Sequence, residues 1–289
     1  MRSLGALTSW PVGVAAAGVL VRDPGGSGAP VLAGLAGDPD RVAAWASVTK
    51  LCTALCVLVA VEEGTVALDQ PAGPPGATVA HLLAHASGLA PDGGAVLAAP
   101  GARRIYSNAG FELLGVLVAE RSGIPFDRYL QEAVLGPLGM RGASLVPGGS
   151  PAAGLQGTLR DLLALGRELL APTVVHPATL ERATTVAFPG LAGVLPGFGR
   201  QDPCDWGLGF EIRDAKHPHW TGARCSPRTF GHFGQAGGFL WVDPDAGVAC
   251  AALTDTPFGP WAAVAWPGLA DAVLAELGRG GNAVGGPGP

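Results

Sequence analysis

From Leu51 to Val61 every residue except Thr53 is apolar, and no Gly or Pro interrupts the run. That pattern predicts a buried helix about four turns long, closed at Glu62-Glu63-Gly64, where Gly supplies a left-handed cap. A helix apolar on all sides has to be surrounded, so the rest of the chain is organised around it. Directly before it stands Trp45-Ala46-Ser47-Val48-Thr49-Lys50, which puts Ser47 and Lys50 on one face of the first turn. Unpaired backbone N–H groups and the positive end of the helix dipole suit a nucleophile whose attack creates negative charge. The competing reading makes Ser47 a helix cap and Lys50 a solvated first-turn residue.

Composition bears on that choice. The chain has only two lysines, Lys50 and Lys216, against sixteen arginines. A lysine kept at a buried helix start suggests a task that Arg cannot perform, the loss of a proton.

The chain of 289 residues, 48% of them hydrophobic, can bury a large core. The expected organisation is one catalytic domain over 1–277, with an α/β lobe from 10–65 and 200–277, a helical lobe from 66–199 and a disordered tail at 278–289. A net charge of -5 with 14% charged residues speaks against nucleic acid as a partner. Five cysteines without a C-x-x-C pair read as reduced thiols in a cytoplasmic protein. Pro11 and the turn Arg22-Asp23-Pro24-Gly25-Gly26 bracket the apolar run Val12 to Val21, which argues against a signal peptide, and no stretch approaches a membrane span.

Val12 to Val21 and Pro30 to Leu35 read as a hairpin joined by Asp23 to Gly28. Helical patterns follow at Val79 to His85, Phe111 to Glu120, Pro125 to Leu135, Thr158 to Leu170 with Asp161 at its third position, and Pro177 to Thr184. Strand patterns return at Trp206 to Ile212, Thr229 to Val242 and Gly247 to Thr254, and Trp261 to Leu277 reads as a terminal amphipathic helix. Strands at both ends with helices between predict an α+β fold whose antiparallel sheet draws on both termini, flanked by helices and carrying an inserted helical lobe.

Two further constellations could carry chemistry. Tyr106-Ser107-Asn108 precedes a helix; Asn108 is either the cap of that helix or an amide donor to substrate or to Lys50. Tyr106 could shuttle a proton if a neighbouring cation such as Lys50 stabilises its phenolate. His232-Phe233-Gly234-Gln235 lies in a Gly-rich stretch read as the edge strand, where backbone can approach a substrate and one N–H could complete an oxyanion hole with that of Ser47.

Ser47-Val48-Thr49-Lys50, Tyr106-Ser107-Asn108 and His232-Phe233-Gly234, in that order, resemble the S-x-x-K, Y-x-N and [KH]-x-G motifs of the serine β-lactamase and penicillin-binding-protein superfamily. The branch of class C β-lactamases, D,D-carboxypeptidases and esterases is the most similar, and His81 to Leu89 resembles its L-L-x-H-x-S-G-L turn. The likeness runs from about Val12 to Leu277. It implies a β-lactamase/transpeptidase-like fold with Ser47 as acylated nucleophile, Lys50 as its activator, Tyr106 as general base and acid, and Asn108 as substrate-orienting amide. Gln235 would share the oxyanion hole with Ser47 through its backbone N–H. His232 stands where β-lactamases usually carry Lys, and offers a titrating imidazole without the neighbouring hydroxyl, which turns the expectation from carboxylate substrates towards esters or D-amino-acid amides.

The expected activity is therefore hydrolysis of a small ester or amide through an acyl-enzyme on Ser47, with no cofactor and no metal. The alternatives are a D-amino-acid peptidase and a β-lactamase-like binding protein without catalysis. A zinc hydrolase built on His81 and His85, or on His217 and His219, lacks the Glu of H-E-x-x-H, because residue 82 is Leu. Ser27 fails the nucleophile-elbow pattern because residue 29 is Ala.

Overall fold

The computed structural model describes residues 1–23 and 28–280. Along them the strands run β1 (Ala15–Val21), β2 (Val31–Ala36), β3 (Ala43–Ala44), β4 (Ser144–Leu145), β5 (Leu155–Gly157), β6 (Gly193–Leu195), β7 (Gly199–Gln201), β8 (Glu211–Ile212), β9 (Phe230–Gly234), β10 (Gly238–Asp243) and β11 (Val248–Thr254). The helices are α1 (Thr49–Glu62), α2 (Val79–Leu83), α3 (Asn108–Ser122), α4 (Phe126–Leu130, continued by a π-helical turn to Leu135), α5 (Leu159–Leu170), α6 (Pro177–Ala183) and α7 (Pro260–Glu276).

The main sheet has the order β2-β1-β11-β10-β9-β8, so the two ends of the chain meet at its centre, where Gly18 faces Ala251. Successive residues point to opposite faces. Leu20, Leu240, Ala249 and Ala251 pack beneath α5, while Val19, Cys250 and Ala252 lie under Trp266 and Leu269 of α7. Both faces are covered, which is why β11 is apolar throughout rather than alternating. The expected α+β architecture with a sheet from both termini is what the chain adopts.

α1 runs through the larger core, with eleven of its residues buried and Trp45 fully enclosed just before it. Gly64 closes the helix at φ +74°, as its position required. The capping pattern at Thr158 also holds: its hydroxyl accepts from Asp161 N, and the Asp161 carboxylate accepts from Thr158 N at 2.9 Å. The five cysteines are buried and unpaired.

Several expectations are corrected. Trp206 to Ile212 is strand only at Glu211–Ile212, because Trp206-Gly207-Leu208-Gly209 folds into a turn pressed on α1; Gly209 sits at φ +94°, where a Cβ would come within 2.3 Å of Ala54 Cβ. β9 is the penultimate strand, not the edge, although β8 pairs only with Phe230 and Gly231. α5 falls within the segment assigned to the helical lobe yet packs on the sheet, since its apolar stripe fits the β1–β11 surface. Residues 3–9, given no element, form a 3₁₀ segment that buries Leu4 and Leu7 against α7, with Arg2 N and Ser3 N donating to the Glu276 carboxylate at 2.8 and 2.7 Å. Arg279 lies in the supposed disordered tail but donates to Arg22 O and Ala246 O at 2.8 and 2.9 Å; the tail from 281, and residues 24–27 of the first turn, lie outside the described residues. Among the described residues no helix is long and apolar enough to cross a membrane.

Candidate active site

Ser47 lies in a single 3₁₀ turn, Ala46–Val48, that delivers the chain into α1. Ala46 holds φ +45°, a left-handed conformation that a residue with a Cβ adopts only under constraint. The constraint is visible: Trp45 N donates to Leu155 O at 2.9 Å, and Thr49 Oγ1 accepts from Leu155 N at 3.0 Å. Ser47 makes no side-chain cap for α1, so the capping reading of this serine does not apply.

Lys50 is fully buried in the first turn of α1. Its Nζ is 2.7 Å from Asn108 Oδ1, 3.0 Å from Ala152 O and 3.4 Å from Ser47 Oγ. Burial lowers its pKa to about 7, against the opposing pull of Asp92 and Glu112. The two oxygens at 2.7 and 3.0 Å can only accept, and the orientation of Asn108 is fixed because its Nδ2 donates to Asp92 Oδ1 at 3.0 Å. A neutral Lys50 therefore spends both N–H bonds on Asn108 and Ala152, and its lone pair is left for the Ser47 hydroxyl.

The same contacts correct the expectation about Tyr106. The Lys50 nitrogen lies over the phenol ring, 4.7 Å from its centroid. The phenol oxygen is buried without a regular hydrogen bond; burial raises the phenol pKa, and the neighbouring Ser47 hydroxyl only partly offsets this. Burial thus favours the protonated phenol at Tyr106 and the neutral amine at Lys50.

Ser107, not Asn108, caps α3: its Oγ accepts from Gly110 N at 3.1 Å and donates to Ala90 O at 2.6 Å. Asn108 is thereby released to face Lys50. His85, which the sequence offered only as a metal rival or part of a supporting turn, braces this segment. Its carbonyl accepts from Ile105 N at 2.9 Å, its Nδ1 accepts from Ser107 N at 3.0 Å, and its ring packs at a tilt against that of Tyr106, with centroids 4.6 Å apart. The backbone there is also left-handed, at φ +54°. His81 turns elsewhere, with Nδ1 on Thr78 Oγ1 at 2.9 Å and its ring on Phe188, so the two histidines cannot share a zinc ion. Among the described residues no group of His, Cys, Asp or Glu is arranged to hold a metal.

The third motif closes the other wall. A Cβ on Gly234 would fall 2.2 Å from Trp45 O, so only glycine lets β9 pass this close to the serine turn. Ser47, Tyr106, Asn108, His232 and Gln235 thus wall one cavity of about 200 Å³. Trp206 and Phe233 make it largely apolar, and Glu211 also reaches it. His232 does not titrate as expected: burial, with the nearby charge of Lys50, lowers its pKa to about 3. Its Nδ1 lies 2.6 Å from Phe233 O, an oxygen that can only accept, so Nδ1 carries the ring proton.

Sequence reasoning missed Trp206, Phe233 and Glu211 as cavity walls. Trp206-Gly207-Leu208-Gly209 was noted, but nothing local says that a turn would aim its indole at Tyr106, 5.8 Å away between ring centroids. Glu211 is held behind the cavity by His219 Nε2 at 3.0 Å, Trp220 Nε1 at 2.9 Å and Lys216. Burial opposes its charge, but His219 and Lys216 outweigh burial and hold the carboxyl well below its ordinary range.

Comparison with known proteins is consistent with this geometry. A family model described as Beta-lactamase matches residues 6–274. The D-alanyl-D-alanine-carboxypeptidase/endopeptidase AmpH of Escherichia coli (strain K12) is 31% identical over 145 residues, a match that takes in 37% of this chain and spans only 38% of that enzyme's length. A crystal structure of a β-lactamase from Mycobacterium bovis superposes with a TM-score of 0.90 at 53% identity, covering 95% of this chain and 98% of that one. EstCE1, a hydrolase with promiscuous acyltransferase activity, shares the fold at a TM-score of 0.72 and 18% identity, over 94% of this chain and 96% of its own.

Proposed function

The chain belongs to the β-lactamase family, and we propose that it is a serine hydrolase that opens a small ester or amide through an acyl-enzyme on Ser47. The observation that carries this reading is the hydrogen-bond arithmetic at Lys50. Two acceptor-only neighbours leave its lone pair directed at Ser47, in a burial that makes the neutral amine accessible near pH 7.

In the proposed sequence Lys50 Nζ takes the Ser47 proton as Oγ bonds to the carbonyl carbon. The resulting oxyanion lies between the backbone N–H groups of Ser47 and Gln235, two segments held together by the close approach at Gly234. As the carbonyl re-forms, the bond to the leaving group breaks and that group takes the phenolic proton of Tyr106. The phenolate is then reprotonated by the Lys50 ammonium. Water repeats the steps on the acyl-enzyme, with Ser47 as leaving group. Because the three motif residues stand in contact around one cavity, the reading as a binding protein without catalysis has no feature in its favour.

The test compares wild type with Ser47→Ala on p-nitrophenyl butyrate and on a fluorophosphonate probe. Turnover and a covalent mass increase on the Ser47 peptide are expected from wild type alone. Equal turnover by both proteins overturns the reading.

A further inference from the structure

Two of the residues that line the cavity, Leu195 and Pro196, come from the tip of the β6–β7 hairpin and from none of the three motifs. This hairpin spans from the Tyr106 segment to β9. At its base Arg104 N, two residues before Tyr106, donates to Ala192 O at 2.9 Å, and Arg104 pairs with Gly193. At its tip the Phe198 ring stands edge-on to Phe233, with centroids 5.9 Å apart, and lies 5.8 Å from Phe258. Phe258 is itself fixed to the site, since its N–H donates to Gln235 O at 3.0 Å.

The tip is stiff. Pro196 and Gly197 take the two central places of a turn closed by Phe198 N on Leu195 O at 2.9 Å. The proline ring fixes its own φ, and Gly197 at φ +79° meets what a type II turn asks of its third residue. The Gln201 amide donates to Phe198 O and Pro218 O, both at 3.3 Å, which ties down the return strand. Held at base and tip, the hairpin is a fixed wall rather than a lid. Along β6 the side chains alternate, so Val194 is 60% exposed on the outside while Leu195, 1% exposed, fills the cavity side. The enclosed space of about 200 Å³ is below the roughly 300–1,000 Å³ of sites that take drug-sized ligands. At about 30 Å³ for each water-sized group it takes roughly six or seven of them, enough for a butanoyl group and too few for an octanoyl group.

We propose that the β6–β7 hairpin is a size gauge: it admits esters or amides whose group beneath it is short, about four carbons or fewer, and Leu195 sets the limit. The inference rests on the hydrolase reading above and narrows the substrate class of the same site. A longer chain has to displace a leucine held between rigid supports, and overfilling a close-packed space is costly. Truncating Leu195 adds room continuous with the cavity, so the limit should move with that one side chain.

The test uses two ester series below the concentrations at which they form micelles. p-Nitrophenyl acetate, butanoate, hexanoate and octanoate vary the acyl side; methyl, butyl, hexyl and octyl acetates, followed by pH-stat, vary the alcohol side. Each kcat/KM is divided by the ester's own hydroxide rate, which removes intrinsic reactivity. In at least one series the corrected value is expected to fall about tenfold or more between the four-carbon and the eight-carbon member. The series that falls identifies which side of the scissile bond lies under the hairpin. In that series Leu195→Ala is expected to raise the eight-carbon to four-carbon ratio about tenfold, and Leu195→Phe to move the fall to shorter chains. Val194→Ala, on the outward face of the same strand, should leave the ratio within about twofold of wild type. Should Leu195→Ala fail to fold, Leu195→Val, one carbon smaller, is expected to raise the ratio about threefold. A wild-type profile flat to within about twofold in both series, or a folded Leu195→Ala that keeps the wild-type ratio, overturns the proposal. If such a profile still depends on Ser47, the hydrolase reading survives and only the size gauge falls; if no ester is turned over, or Ser47→Ala is as active, both fall together.

Discussion

Lys50 Nζ lies 2.7 Å from Asn108 Oδ1, closer than the 3.4 Å that separates it from Ser47 Oγ. On the proposed mechanism Asn108 acts on Ser47 indirectly, by occupying one of the two hydrogens of a neutral amine so that the lone pair has a single place to go.

The pH dependence follows from that amine. Lys50 is active as a base only when neutral, and its pKa stands at about 7, so kcat/KM should rise with pH through about 7 and level off above 8. At pH 6 it should be about tenfold below the plateau. His232, already neutral above about pH 3, adds no second ionisation between pH 5 and 9, and the raised phenol of Tyr106 adds no descending limb there. A bell centred near neutrality in a pH–rate profile would contradict this assignment.

Asp92 provides a test of the same group from outside the cavity. Its charge favours the ammonium form of Lys50, and it touches that residue only through Asn108. Asp92→Asn keeps an acceptor for Asn108 Nδ2 but removes the charge. The ascending limb should move to lower pH by about half a unit, a shift that high salt should partly reproduce in wild type. An unmoved limb would place the titration elsewhere.

His85 is a positioning residue for Tyr106 and Asn108, through Ser107 N and Ile105 N. Asn can place its amide oxygen near the position of Nδ1 and tolerates the left-handed backbone, whereas Leu does neither. His85→Leu should lower kcat by about 100-fold with a small change in KM, and His85→Asn should recover most of the loss. A structural role alone would lower the amount of folded enzyme and leave kcat per Ser47 labelled by fluorophosphonate unchanged, so kcat should be measured on that basis.

Glu211 neutralises Lys216 where neither meets water, both being 4% exposed or less. Glu211→Gln leaves a buried cation without its counter-charge and should cost about 3–5 kcal/mol of stability, read as a lower urea midpoint with the slope preserved. A midpoint unchanged from wild type would mean that Lys216 finds water in the native state.

Much of the site was legible in the chain because its motif residues are local in sequence and chemically rare. One of two lysines and one of two tyrosines stand in contact around Ser47. Their roles were not legible, since which of the two gives up its proton depends on burial, and burial is a property of the whole fold. The choice at Asn108 between helix cap and active-site amide stayed open for a similar reason: Ser107 and Asn108 are both good caps, and only the contact with Lys50 separates them. The strand assigned to Trp206 failed because its alternation is made by glycines that serve close packing against α1 rather than a pleat.

The pairing of β1 with β11 has a consequence for how the protein comes into being. Ser47 leaves the ribosome early, but the wall opposite it, from Glu211 to Gln235, is made last, and the central strand that holds this wall follows still later. A chain synthesised only as far as α4 can pack α1 on α3 and α4, but it leaves Ser47 without the wall opposite it. On the proposed reading, reactivity at that serine should be withheld until translation is nearly finished, and a truncation before Thr254 should yield no reduced version of the enzyme, only an incomplete one.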